Sequence, residues 1–232
     1  EAGAIAFSDD GRCVQNSNIL MQALLYAKTF DALLIQHCED HHLSQGGDMN
    51  EGLLCTKMGL RPIPQIAESI MVERDIQITE YVQGKLHLAH ISAAQSIDAI
   101  RRAKARGTRG ACITCEVAPH HFSLTEDAVR GYNTYAKVNP PLRTEKDIDA
   151  IKKAFKEGLI DCIATDHAPH LDTAKHIEFE YARCGMIGLQ TALPLALREL
   201  VTQNYLSLID LARVLSSNPA KILGLTKKGS LT

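Results

Sequence analysis

The chain has 232 residues, 45% hydrophobic and 22% charged, with 15 Gly, 8 Pro and no Trp; this make-up excludes collagen-like, low-complexity and mostly disordered chains. Lys and Arg total 25 against 27 Asp and Glu, so the net charge of −2 gives no electrostatic case for nucleic acid or an anionic membrane. No run reaches the roughly 18 unbroken apolar residues of a membrane-spanning helix, which leaves a small molecule or a protein as the partner.

Short apolar runs alternate with longer amphipathic ones. A strand is expected at 4–7 and a helix at 18–30, where Ile19, Leu20, Ala23, Leu24 and Ala27 make one helical stripe. A strand at 32–36 leads into a long polar connection, 40–64, with Gly46-Gly47 and two prolines; connections of this kind are often functional. Then come a helix at 63–83, a strand at 85–89, a helix at 93–105, a strand at 111–117, a helix at 145–155 and a strand at 161–165. A second polar loop, 172–185, precedes a helix at 189–201. Ser92 and Thr144 stand where N-caps belong, and Gly107 and Gly158 where helices should stop. The strands are nearly continuous in apolar character, as parallel strands buried on both faces are. Their alternation with helices gives βαβ units in a single domain, 1–232.

The chain opens without Met, almost directly in a strand-like run, and stops at Lys228-Gly229-Ser230-Leu231-Thr232 just after a helix-like segment, so a piece of a longer protein is expected. Glu1-Ala2-Gly3 offers neither a basic nor an apolar leader region, so no signal peptide is expected. The cysteines at 13, 38, 55, 112, 115, 162 and 184 are an odd, scattered set, which suits reduced, buried thiols in a cytoplasmic protein. Cys112 and Cys115 form a C-x-x-C without a second pair at zinc-ribbon spacing, so they are expected to be two core residues of a strand.

The chemistry-bearing residues gather after the strands. The strand ends read Ser8-Asp9-Asp10-Gly11, His37-Cys38-Glu39-Asp40, His87-Leu88-Ala89-His90-Ile91-Ser92, Glu116-Val117-Ala118-Pro119-His120-His121 and Thr165-Asp166-His167-Ala168-Pro169-His170. In a (β/α)₈ barrel the C-terminal strand ends share one mouth, and His and carboxylate side chains meeting there suit a divalent transition metal, zinc above all. A lone His at a strand end is more often a hydrogen-bonded rim residue than a ligand, but five successive ends of this kind are hard to reach by accident. Strand pleating lets only one of Asp9 and Asp10, one of His87 and His90, and one of Asp166 and His167 face the mouth. His37 and His41 do not make a zincin pair, because Cys38 stands where H-E-x-x-H needs Glu. Cys38 beside His37 reads as a buried bystander, and P-loop, dinucleotide-binding and nucleophile-elbow motifs are absent.

These blocks, with Lys137-Val138-Asn139-Pro140-Pro141-Leu142-Arg143, occur in the order and approximate spacing of the bacterial class I dihydroorotase family of amidohydrolases, which the chain resembles over essentially its whole length. Gly185-Met186-Ile187-Gly188-Leu189-Gln190-Thr191 resembles a further family block, with Gln190 where Glu is usual and Cys184 where Phe is usual. The resemblance implies a metal-dependent (β/α)₈ TIM-type barrel, present as an incomplete barrel from about the fourth strand onward. It implies that Asp10 bridges two zinc ions, that His37 and His90 bind the second, and that Asp166 contacts the first and acts as general base and acid. Asn139, His170 and the backbone of Cys184-Gly185 resemble substrate-binding residues. The implied reaction interconverts L-dihydroorotate and N-carbamoyl-L-aspartate in pyrimidine synthesis, in the cytoplasm. A homo-oligomer, or a complex with aspartate carbamoyltransferase, is compatible with the resemblance.

The family's H-x-H-x-R-D motif, which supplies two ligands of the first zinc, is missing, since no H-x-H occurs in the 232 residues. A fragment of a complete enzyme explains this better than a non-catalytic scaffold subunit, which has no need of Asp10, His37, His90 and Asp166. Hydantoinases and allantoinases share the barrel and the metals, but typically bridge them with a carboxylated lysine; the Asp-Asp-Gly strand end and the Asn-Pro-Pro-Leu-Arg block speak against them. The isolated chain is expected to bind metal poorly and to lack activity.

Overall fold

The computed structural model describes residues 3–230. In chain order these form β1 (Ala6–Ser8), α1 (Ser17–Lys28), β2 (Leu33–Gln36), α2 (His41–Ser44), β3 (Met49–Asn50), α3 (Leu53–Met58), β4 (Pro62–Ile63), α4 (Ile66–Val82), β5 (Lys85–Leu88), α5 (Ala94–Ala105), β6 (Cys112–Val117), α6 (Glu145–Lys156) and β7 (Cys162–Ile163). The last stretch is helical: Ala192–Ala196 runs on as a π turn to Val201, and Leu208–Ala212 runs through a second π turn into Asn218–Ile222. Expectations resting on Glu1, Ala2, Leu231 and Thr232 lie outside the described residues.

The main sheet has the order β1-β2-β5-β6-β7, parallel throughout, so spatial order follows chain order. Each crossover carries a helix, and α1 packs on α4, α4 on α5 and α5 on α6. The result is an open arc of βα units, as expected of part of a barrel. One side of the sheet meets the helices: Leu86 and Leu88 of β5, Ile113, Cys115 and Val117 of β6, and Ile163 of β7 share a core with Ile76, Ile97, Ile100, Ile151 and Phe155. Pleating turns the alternate residues His87, Thr114, Glu116 and Cys162 to the other face. β7 is shorter than expected, but ladder bonds from Asp161 N–H to the Cys115 carbonyl and from Ala164 N–H to the Val117 carbonyl continue its pairing at both ends.

The connection at 40–64 is built rather than loose. β3 and β4 pair in parallel, Asp48 holds Arg61 at 2.8 Å, and Met49, Leu54 and Cys55 form a second apolar cluster with Val138, Leu142 and Phe179. Helix stops fall where Gly107 and Gly158 take left-handed backbone, with φ of 84° and 69°. Thr144 caps α6 in a reciprocal box with Asp147. Ser92 does not cap α5: the capping position is Ala93, which offers no side-chain acceptor, and the Ser92 hydroxyl is engaged by Glu68 and Arg143 instead. The described cysteines are free, with Cys112 and Cys184 exposed and the other five buried. Cys112 and Cys115 therefore do not share a core, because residues three apart on a strand face opposite ways.

Candidate active site

The adjacent acids after β1 divide as pleating requires. Asp9 turns inward and accepts hydrogen bonds from the backbone N–H groups of Val14 and His37, each at 2.8 Å, and from the Gln36 amide at 2.7 Å. Asp10 is exposed, its Oδ1 3.8 Å from His90 Nε2, and the pull of His90 lowers its pKa. His37 leaves the end of β2 with Nδ1 2.8 Å from His90 Nε2 and Nε2 2.7 Å from Glu39 Oε2. His90 lies just beyond β5 in left-handed backbone, φ 32°, and Ile91 N–H donates to the Glu116 carbonyl at 2.9 Å. The ligand atoms of Asp10, His37 and His90 thus lie within 4.8 Å of one another.

This donor set fits a divalent metal. Glu39 accepts the Nε2 proton of His37, which leaves a lone pair on Nδ1, the pattern by which a carboxylate behind a histidine fixes a metal-binding tautomer. That lone pair points at a second imidazole nitrogen beside a carboxylate, and His90 Nδ1 is buried without a partner. Burial raises Glu39, but hydrogen bonds from His37, Ser44 and Asn139 outweigh it and hold the carboxyl at about 2. Burial opposes a charge on His90, yet Asp10, Asp166 and Glu116 together raise its pKa. The pocket is therefore biased toward positive charge.

Asp166 is outside the tight group but within its electrostatic reach. It adopts φ 46°, and burial raises its pKa against the opposing pull of His90. Its Oδ2 is 3.9 Å from His120 Nε2, an atom that is buried without a hydrogen-bond partner. Burial lowers His120, and it lowers His121 to about 3 although His121 Nε2 meets the Pro140 carbonyl. His167, beside Asp166, accepts from Gly188 N–H at 3.0 Å instead of joining the mouth. His87 stays on the strand with Glu116 and Cys162.

The expected substrate residues fall in two places. Asn139 donates to Glu39 Oε2 at 2.8 Å, directly beside His37. His170 and the Cys184-Gly185 turn sit together, His170 Nε2 2.7 Å from the Cys184 carbonyl. Gly185 has φ 141°, and a β carbon there would stand 2.7 Å from His170 Nε2 and 2.8 Å from Ala168, so only glycine permits the contact. His170 and Gly185 line a cleft of about 790 Å³ that also takes in His120, Tyr135, Pro169 and Arg198.

Several supporting residues escape sequence reading. α5 starts without a cap of its own, yet its first N–H groups are satisfied from elsewhere. Glu68 of α4 accepts from the N–H groups of Ser92 and Ala93, and Asp147 of α6 accepts from Ala94 N–H at 2.9 Å. Arg143, fully buried, donates to Ser92 Oγ, to Asn50 Oδ1 and to the Ile63 carbonyl, with Glu68 3.7 Å away. This clasp ties the segment after His90 to the segment after Asn139. Glu39 was within reach of sequence reasoning, since it lies two residues from His37 and so shares its side of an extended chain.

No helix among the described residues is long and apolar enough to cross a membrane. The Amidohydrolase family profile matches residues 73–232, and the Dihydro-orotase-like profile matches residues 1–96. The dihydroorotase of Acetivibrio thermocellus is 49% identical over 226 residues, covering 97% of this chain and 52% of that protein. The dihydroorotase of Geobacter sulfurreducens is 51% identical over 227 residues, covering 98% of this chain and 52% of that protein. The chain spans about half the length of the curated relatives it matches. Among solved structures, an L-hydantoinase (dihydropyrimidinase) from Arthrobacter aurescens superposes with a TM-score of 0.84 at 24% identity, over 100% of this chain and 54% of that one. A D-hydantoinase (dihydropyrimidinase) from Thermus sp. gives 0.80 at 23%, over 98% and 51%. At such identities the likeness concerns the barrel fold.

Proposed function

The chain belongs to the amidohydrolase family, and from that premise we propose that it carries the metal-holding part of a dihydroorotase, a hydrolase that interconverts L-dihydroorotate and N-carbamoyl-L-aspartate in pyrimidine synthesis in the cytoplasm. The observation that carries the reading is the convergence of Asp10, His37 and His90 from three successive strand ends in a chain about half identical, along nearly its whole length, to dihydroorotases.

Asp10, His37 and His90 are the residues that would hold a zinc ion, with Asp10 shared toward a second one. A bound metal would supply Lewis acidity, polarising the substrate carbonyl and lowering the pKa of water toward neutrality. The chain's own groups do the rest. Glu39 holds His37 in one tautomer. The carboxylate of Asp166, desolvated and so drawn toward its protonated form, accepts a proton from the attacking water and returns it to the ring nitrogen as the amide bond opens. Asn139 fixes the substrate beside His37, while His170 and the Cys184-Gly185 backbone hold the far edge of the ring in the cleft.

The test is made on the whole zinc-loaded protein, following N-carbamoyl-L-aspartate. Asp166→Asn should keep the fold while kcat falls about 10²- to 10⁴-fold. Turnover near that of the unaltered protein would remove Asp166 from the base role, and hydrolysis of hydantoin without hydrolysis of dihydroorotate would overturn the substrate assignment.

A further inference from the structure

A second group of metal-capable side chains lies on the sheet itself. His87 of β5, Glu116 of β6 and Cys162 of β7 all project from the face opposite the helices, and the register pairs His87 with Thr114 and Glu116 with Cys162. His87 Nε2 is 3.0 Å from Glu116 Oε2, Cys162 Sγ is 4.0 Å from the same oxygen, and the three ligand atoms lie within 4.8 Å of one another. We propose that His87, Glu116 and Cys162 form a further cation site, for a zinc-type transition metal, separate from the Asp10, His37 and His90 group.

The surroundings of His87 aim its ring at the other two. Thr114 Oγ1 is 2.7 Å from His87 Nδ1, which holds the imidazole with Nε2 directed at Glu116 Oε2, the oxygen that also accepts from the Cys162 thiol. On metal uptake the ring proton would sit on Nδ1 and be donated to Thr114 Oγ1, leaving Nε2 free to ligate; a partner behind the distal nitrogen is what orients a metal-binding histidine.

The distances agree as well. A tetrahedral zinc with bonds of 2.0–2.3 Å separates its ligand atoms by ~3.3–3.7 Å, which the observed 3.0 and 4.0 Å bracket. The donor types, imidazole, carboxylate and thiolate, are those that zinc and cobalt accept together. On uptake Cys162 releases its thiol proton to solvent and binds as thiolate. The ion would cross-link three neighbouring strands, so it acts on the stability of the sheet, and the inference does not depend on the reaction proposed above.

The test uses Co²⁺ alone as probe on the whole protein. A thiolate-to-cobalt charge-transfer band is expected in the unaltered protein and in Asp10→Asn, in which amide hydrolysis is lost; this separates the two sites. The band should vanish in Cys162→Ser, and half-saturation should need at least about tenfold more Co²⁺ in Glu116→Gln. Absence of the band in the unaltered protein, or its survival in Cys162→Ser, overturns the proposal. Should Cys162→Ser fail to fold, X-ray absorption of the cobalt-loaded unaltered protein decides: one sulfur among nitrogen and oxygen ligands supports the site, and a shell without sulfur overturns it.

Discussion

Asp9 spends its carboxylate on three donors, the N–H groups of Val14 and His37 and the Gln36 amide, and so leaves Asp10 as the acid that faces the histidines. Removing it strands those donors where water reaches them poorly, at about 1–3 kcal/mol for each that stays unpaired. Asp9→Ala should therefore lower unfolding stability measurably in urea. The larger consequence is at His37, whose backbone position Asp9 fixes: zinc affinity should fall about 10- to 100-fold, the usual effect of losing support behind a ligand. Isothermal titration with zinc measures it, and affinity equal to that of the unaltered protein would make Asp9 purely structural. Two of the strained backbone positions lie at the same place. His90 and Asp166, with φ of 32° and 46°, are non-glycine residues in left-handed backbone, where strain of about 1–3 kcal/mol persists only if the surroundings enforce it.

At the scale of elements, that enforcement is the clasp around the start of α5. Glu68 and Asp147 act as caps supplied by other helices, and Arg143 joins Glu68 to Asn50 and Ser92. Glu68→Ala leaves the buried guanidinium of Arg143 without its counter-charge and the N–H groups of Ser92 and Ala93 without an acceptor, so it should cost about 3–5 kcal/mol. The double variant Glu68→Ala with Arg143→Met should lose less than the sum of the single losses, by about 1–3 kcal/mol. Denaturant unfolding of the four proteins gives the coupling, and strict additivity would dissolve the clasp. The same segment shows where sequence reading stops. Apolar runs and helical stripes located the parallel strands and their helices within a few residues, and strand-end polar residues located the mouth, because these depend on local pattern; the pattern left one of Asp9 and Asp10 and one of His87 and His90 open, and Asp10 and His90 came from the family resemblance. Ser92 looked like a cap for equally local reasons, but Glu68, 24 residues earlier, had claimed its hydroxyl. Contacts of that range leave no mark in the pattern around either residue, and neither do Arg143 and Asp147. The 40–64 connection was read as a loop for a related reason: its two-residue strands are too short to show a period.

For the molecule as a whole, one buried acid couples the helical layer to the mouth. Asp75 of α4 has no exposed surface; Arg74 lies 2.6 Å from it and donates onward to the carbonyls of Val14 and Gln15 in the segment that follows Asp9 and Asp10. Burial raises the Asp75 carboxyl to about 6, with Arg74 opposing. Below an ordinary carboxyl pKa of about 4 it is protonated whether the chain is folded or not, and above about 6 it is ionised in both states. Between those limits the folded chain holds a proton that the unfolded chain has released. Stability from this group therefore rises as pH falls from about 6 to about 4, and above about 6 the whole penalty stands, on the order of 3 kcal/mol at ~1.4 kcal/mol per unit. Asp75→Asn cannot titrate, so its stability relative to the unaltered protein should be most favourable above pH ~6 and decline steadily toward pH ~4. Urea unfolding of both proteins across that window measures the difference. A gap that stays level with pH would mean that Asp75 is ionised throughout and that Arg74 fully offsets its burial.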